Sequence, residues 1–203
     1  MGDLVIQEYR GIEGLVYAEL IKDTKDEIEY GEVKPLSGVS ELNKETSSDS
    51  ATHYYDNVPA IVIDSTGADE VKMNTSLIPL PTLGEITGQY YDKTTGMMVE
   101  GERESKYFAI GYTTETTDGT KMLVWRNKGR FNIPASTHAT KDDGTDANGQ
   151  ELTYTGINTI HKFDKTKKTA KAVIVDESLK LVDTATFFDT VQTPDTVTAK
   201  TTP

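Results

Sequence analysis

Three groups of residues in this chain could do chemistry: closely spaced carboxylates, three histidines, and glycine-spaced segments of the kind that hold a phosphate or a cation. Glu27 with Glu29 and Glu102 with Glu104 are carboxylate pairs two residues apart, which share a face if the backbone is extended. Such a pair works as general acid and base only where a cleft drives the two pKa values apart, and an acidic chain produces the spacing by chance. The stretch DDGTDANGQE, starting at Asp142, resembles a calcium loop in composition. A helix-flanked calcium loop needs glycine at its sixth position and glutamate at its twelfth; here those positions are Ala147 and Thr153, so a polar turn is expected. His53, His138 and His161 are far apart and form no His-Glu-x-x-His pattern. GMMVEGE, residues 96–102, has the glycine spacing of a phosphate loop but places Glu102 where the phosphate-binding lysine belongs. The chain has no Gly-x-Ser-x-Gly elbow, no Ser-x-x-Lys and no cysteine. No enzymatic activity, cofactor or metal is expected.

Composition narrows the function further. The 203 residues suffice for one domain with a modest core, given 35% hydrophobic and 27% charged residues. A formal net charge of −12 repels a phosphate backbone, so nucleic-acid binding is disfavoured. The basic run KTKKTAK, residues 165–171, reads as a solvated face. The lack of cysteine fits folding in a reducing cytoplasm, and no apolar run approaches the ~20 residues that span a bilayer. A soluble, unprocessed protein is expected.

Most of the chain reads as short strands. GLVYAELIKDT, VKPLSGVSEL, ELTYTGINTI and KAVIVDES are strand-like, with Pro35 at a strand start or edge. PAIVIDSTGADEVKMNTSLIPL reads as two strands joined by a turn at residues 65–68. YFAIGYTTE and KMLVWRN flank Asp118-Gly119, a hairpin signal. The second of these strands is expected to end in a turn, leaving Arg126, Lys128 and Arg130 as solvated or inter-subunit charges, and Trp125 as packing or subunit-contact surface. Leu83, Ile86 and Tyr90 have helical spacing in PTLGEITGQYYD, which predicts one short helix. Residues 43–57 and 138–150 read as long polar loops. The segment after Phe187 is rich in Thr, Asp and Pro and reads as a flexible arm. The expected fold is mainly β, a β-sandwich or partial barrel with one flanking α-helix, a long loop and a C-terminal arm. The expected division is a β-sandwich domain over 1–183 and a flexible tail over 184–203.

The order of GLVYAELIKDTKDEIEYGEVKPLSGV, YYDNVPA, LIPLPTLGEITGQYYD and KYFAIGYTTETTDGTKMLVWRNKGRF resembles that of the major tail proteins of long-tailed bacteriophages. The resemblance runs from Gly14 to His161 and rests on order and spacing rather than on any one motif. It implies a structural subunit of the virion, made in the host bacterial cytoplasm, that closes into hexameric rings stacked as a tail tube. Its implied partners are further copies of itself, the tape-measure, tail-terminator and distal tail proteins, and genomic DNA passing through the lumen without specific binding. Tyr54, Tyr55, Trp125 and Phe131 are the candidate self-assembly residues. The alternative is a carbohydrate- or receptor-binding β-sandwich of a tail tip or adhesin, with Trp125, Tyr54, Tyr55, Tyr90 and Tyr91 as stacking platforms.

Overall fold

Leu15 and Tyr17 point to one side of a strand and Val16 and Ala18 to the other, and both sides are covered by apolar groups. That double burial makes the first strand a central element and sets the plan of the molecule. The computed structural model describes residues 6–140 and 148–200.

The strands, in chain order, are β1 (Tyr9–Asp23), β2 (Ile28–Tyr30), β3 (Lys34–Pro35), β4 (Val39–Tyr55) and β5 (Val58–Thr75). After helix α1 (Leu80–Thr87) come β6 (Tyr90–Asp92), β7 (Met97–Val99), β8 (Phe108–Thr116) and β9 (Lys121–Phe131). The last are β10 (Ala135–Ser136), β11 (Gln150–Gly156) and β12 (Ala172–Asp176). The main sheet is antiparallel in the order β2-β1-β8-β9-β11-β5-β4, with β3 added to β1, β10 to β11 and β12 to β9; β6 and β7 pair separately. The sheet curls into a partial barrel. The root of β4 returns towards β1 without pairing to it, and Ile12 and Leu42 pack on the same inner core.

Alternation assigns the side chains. Tyr17, Phe108, Ile110, Tyr112, Val124 and Phe131 face the inner core, which Leu83 and Ile86 of α1 also join. Ala18, Ala109, Leu123 and Trp125 face outward, where β12 and the C-terminal segment cover them. The fold is therefore mainly β with one α-helix, as expected, and its second layer comes from the C-terminus.

Five local expectations are corrected. Residues 43–57 are not a loop but most of β4, paired along its length with β5, and β5 runs straight through residues 65–68. The turn lies at Asp56 (φ 50°) and Asn57 (φ 65°), two successive left-handed residues as in a type I′ hairpin turn. Serines and aspartates suggested a loop, but the ladder with β5 satisfies their backbone. The helix stops before Tyr90, at Gly88 (φ 70°), where a Cβ would lie 2.0 Å from the Glu104 carbonyl oxygen. Tyr90 instead starts β6. The β8–β9 hairpin turns at Asp118-Gly119 as expected, but β9 continues through Arg130 to Phe131 rather than ending in a turn after Asn127.

The C-terminal segment is the fifth correction, because its described part, to residue 200, does not hang free. Phe187 and Val191 are buried, the Phe188 ring packs on Trp125 with centroids 5.8 Å apart and planes tilted by 45°, and the Trp125 indole N–H donates to the Phe187 carbonyl at 3.0 Å. Gly111 makes room for this layer: a Cβ there would come within 3.0 Å of the Phe188 ring. The segment has few apolar residues, but they converge on one outward stripe of β8 and β9. Of the second polar loop, residues 141–147, including most of the calcium-like stretch, lie outside the described residues.

The single tryptophan reports on this layer. Replacing Phe187 with alanine should lower stability by about 3 kcal/mol in urea unfolding and shift the native Trp125 emission to the red. A flexible tail would leave both unchanged.

Candidate assembly surface

The features that aim the exposed surface begin in the barrel wall. Arg126 follows Val124 on the inward side of β9, yet it is buried. Its Nη1 donates to Asp69 at 2.8 Å and its Nε to the Tyr112 hydroxyl at 3.1 Å. Asp69, on β5, also accepts from Thr46 of β4 at 3.0 Å and from Lys171, just before β12, at 3.2 Å. Burial acts to raise the Asp69 pKa, but the hydrogen bonds from Lys171 and Thr46 and the charges of Lys171 and Arg126 outweigh it, holding the carboxyl below its ordinary value. Lys128 is likewise buried and pairs with Asp23 at 2.7 Å, beside the Tyr107 ring. Asp23 also accepts from the backbone N–H groups of Ile160 and His161, and these contacts together outweigh burial and lower its pKa.

Arg126 and Lys128 are thus structural ion-pair partners inside the subunit, against the expectation of solvated or inter-subunit charges. The clue for Arg126 was available in the alternation: it shares the parity of inward Val124, and a strand with both faces buried has no solvent side. Lys128 was not legible that way, because a bulge between Arg126 and Gly129 breaks the alternation and sets Lys128 beside Tyr107. Arg130 is exposed, its guanidinium 5.7 Å from the Tyr107 ring centroid. Lys171, within the run expected to be a solvated face, is mostly buried against Asp69.

From this anchored root the β4–β5 ribbon projects, and every residue from 47 to 67 is exposed. Among them are Tyr54 and Tyr55, 64% and 62% exposed, with Val58, Ile61, Val62 and Ile63. Residues 46–68 contain no lysine or arginine but include Asp49, Asp56 and Asp64. A two-stranded ribbon with both faces in water is marginal by itself, and this one carries large apolar groups. Bulges at residues 46–48 and 53–54 and Pro59 near the tip interrupt its edges, which disfavours simple edge-to-edge pairing. Its contact-making surface is its side chains.

The structure divides the four candidate self-assembly residues. Tyr54 and Tyr55 sit together at the ribbon tip. Trp125 is 0% and Phe131 3% exposed, so both are core residues and offer no contact surface on the folded subunit. The exposed apolar residues of β5 were missed because that segment read as the first strand of a hairpin turning at residues 65–68, not as the arm of a projecting ribbon.

The residues weighed for chemistry do not converge. Glu27 pairs with Lys22, and Glu29 is exposed. The segment Met97–Val99 is strand β7, so GMMVEGE is not a loop leading into a helix. His53 lies on the ribbon, His138 contacts Ser136, and His161 packs on Phe163. Among the described residues no group of three His, Cys, Asp or Glu side chains could hold a metal ion, and no helix is long and apolar enough to cross a membrane. Glu102 and Glu104 line a groove of about 900 Å³ beside α1, together with Tyr90 and Tyr91. No protein-family model matches the chain, and no curated protein matches it.

The ion cluster makes two measurable statements. Asp69→Asn leaves Arg126 and Lys171 without their counter-charge and should cost about 3 kcal/mol. Because the Asp23 and Asp69 pKa values are lowered by folding, their contribution is complete above the ordinary carboxyl pKa of 3.8 and is lost as pH falls below it through the folded values. Urea midpoints between pH 7 and pH 3 should therefore fall on the acid side for the parent and fall less steeply for Asp69→Asn.

Proposed function

We propose that this chain is a self-assembling structural subunit and that its assembly is a tail tube of the long-tailed bacteriophage type. The observation that carries the reading is the ribbon over residues 47–67: wholly exposed, apolar at its tip, and held in direction by a buried ion cluster at its root. A monomer gains nothing from displaying Tyr54, Tyr55, Val58 and Ile61–Ile63 to water, whereas a neighbouring copy that covers them gains their burial, at roughly 25 cal/mol per Å² of apolar surface.

The resemblance in the order of sequence features supplies the particular assembly, hexameric rings stacked around a lumen, with tape-measure, terminator and distal tail proteins at its ends. The net charge of −12 suits a conduit through which DNA must slide, since a basic lumen would hold phosphates by counter-ion release. In this reading the protein belongs to the virion and performs no reaction.

A second reading, a carbohydrate-binding module, is favoured by one place only, the groove in which Tyr90 and Tyr91 lie near Glu102 and Glu104. Trp125, the strongest platform expected from the sequence, is buried and unavailable to a sugar.

Sedimentation and negative-stain microscopy over rising protein concentration separate the readings. The parent should form rings or tubes. A variant in which residues 48–66 are replaced by a short turn should stay monomeric while its thermal midpoint remains within about 3 °C of the parent, because the removed residues bury almost nothing within the subunit. A parent that is monomeric at millimolar concentration, and is retained on a glycan resin in a manner lost with Tyr90→Ala, would establish the second reading instead.

A further inference from the structure

Where β1 and the root of β4 approach without pairing, a groove of about 870 Å³ opens along the seam. Ile12, Leu42, Tyr112 and Val124 give it an apolar lining continuous with the inner core. Its charged lining residues are Arg10, Lys44 and Arg126 against the single carboxylate Glu41. In a chain with 33 acidic and 21 basic residues this local excess of cations reverses the overall balance. Arg126 is committed to Asp69 and Tyr112, but Arg10 is largely exposed and among the described residues has only a loose 4.0 Å contact to Glu115, while the Lys44 ammonium meets the Thr46 hydroxyl.

The ribbon tip is the chemical complement of this groove. It is apolar, carries Asp49, Asp56 and Asp64, and has no lysine or arginine. The register of β4 and β5 sets Ile61 opposite His53, Ile63 opposite Ala51 and Ser65 opposite Asp49 on alternate pairs, so these six side chains share one face. We infer that this groove is the seat of the β4–β5 ribbon of a second copy of the chain, with the face that carries Ile61, Ile63 and Asp49 on the groove, its isoleucines on the apolar lining and Asp49 against Arg10 and Lys44. The inference rests on the self-assembly reading and names the surface on which that assembly closes.

A copy's own tip cannot occupy its own groove. β4 starts at the groove wall and runs away from it, and at ~3.4 Å per residue the twelve residues from Lys44 to Asp56 carry the tip about 40 Å off. The joint is therefore between copies and heterologous: each subunit offers one tip and one groove. Such a joint repeats head to tail, closing into a ring where the rotation allows and extending into a filament where it does not. The edge bulges and Pro59 fit a joint made by side chains rather than by an added strand.

Charge reversal on the two sides tests the joint. R10E/K44E reverses the groove, and D49K reverses the charge on the docking face of the ribbon while leaving the left-handed Asp56 untouched. Circular dichroism melts should match the parent for both. Each variant alone should need at least roughly tenfold more protein than the parent to assemble, because its tip and groove now carry like charge. A 1:1 mixture should recover assembly, since each tip then finds an opposite groove in an alternating polymer. If the parent assembles and either variant assembles equally well alone, the groove is not the seat, although the self-assembly reading stands. Variants that stay monomeric when mixed would also overturn the joint. A parent that never assembles would overturn both the joint and the reading beneath it.

Discussion

The Arg126–Asp69 ion pair is the contact on which the arrangement of the barrel wall turns. It joins β9 to β5, and through Thr46 and Lys171 it also gathers β4 and the start of β12. Buried ion pairs are poor evidence of net stability, because desolvation consumes much of the Coulomb attraction. Their stronger effect is on specificity. A register in which Asp69 missed Arg126 would leave charges buried without partners, so the pair selects one alignment of β5 against the rest of the sheet. Lys128 and Asp23 impose a similar constraint two residues further along β9, where Asp23 also holds the backbone of Ile160 and His161.

β9 can carry such groups because both of its faces are covered. Trp125 and Leu123 turn outward under the C-terminal layer, while Val124 and Arg126 turn into the barrel. The C-terminal segment is therefore part of the fold's second layer, and Asn127 ties it further by donating to the Gln192 carbonyl at 2.8 Å. The contrast with the ribbon is sharp. Residues 69–75 of β5 lie between β4 and β11 and are held on both edges, whereas residues 58–66 have only β4 beside them. One strand thus passes from a packed wall to an unsupported arm. The change occurs at Asp69, which anchors the last buried position, so the ribbon's direction is set by the barrel even though the barrel does not touch its tip.

Much of the fold was legible in the amino-acid sequence. Alternating apolar residues marked β1, β8, β9, β11 and β12, Asp118-Gly119 marked the hairpin turn, and the spacing of Leu83 and Ile86 marked the helix. These signals are local: they depend on the period of two or 3.6 and on the φ values a residue tolerates. The mainly β class follows from them. So does the expectation that some exposed aromatic surface lies near Tyr54 and Tyr55, since both sit in a polar stretch without apolar neighbours to bury them.

What tertiary structure alone decided is which segments found partners. The polar residues of β4 could be a loop or a strand until β5 paired with them, because backbone hydrogen bonding does not depend on side-chain polarity. The few apolar groups after residue 184 could dangle or dock until β8 and β9 presented a stripe that fits them. Arg126 could face water or the core until Asp69, 57 residues away in the chain, supplied its counter-charge. For Arg126 and for the C-terminal layer the deciding interaction spans dozens of residues, and its strength depends on desolvation and geometry that exist only after the sheet has curled. Local pattern sets what a segment is able to form; burial by distant segments decides what it does form.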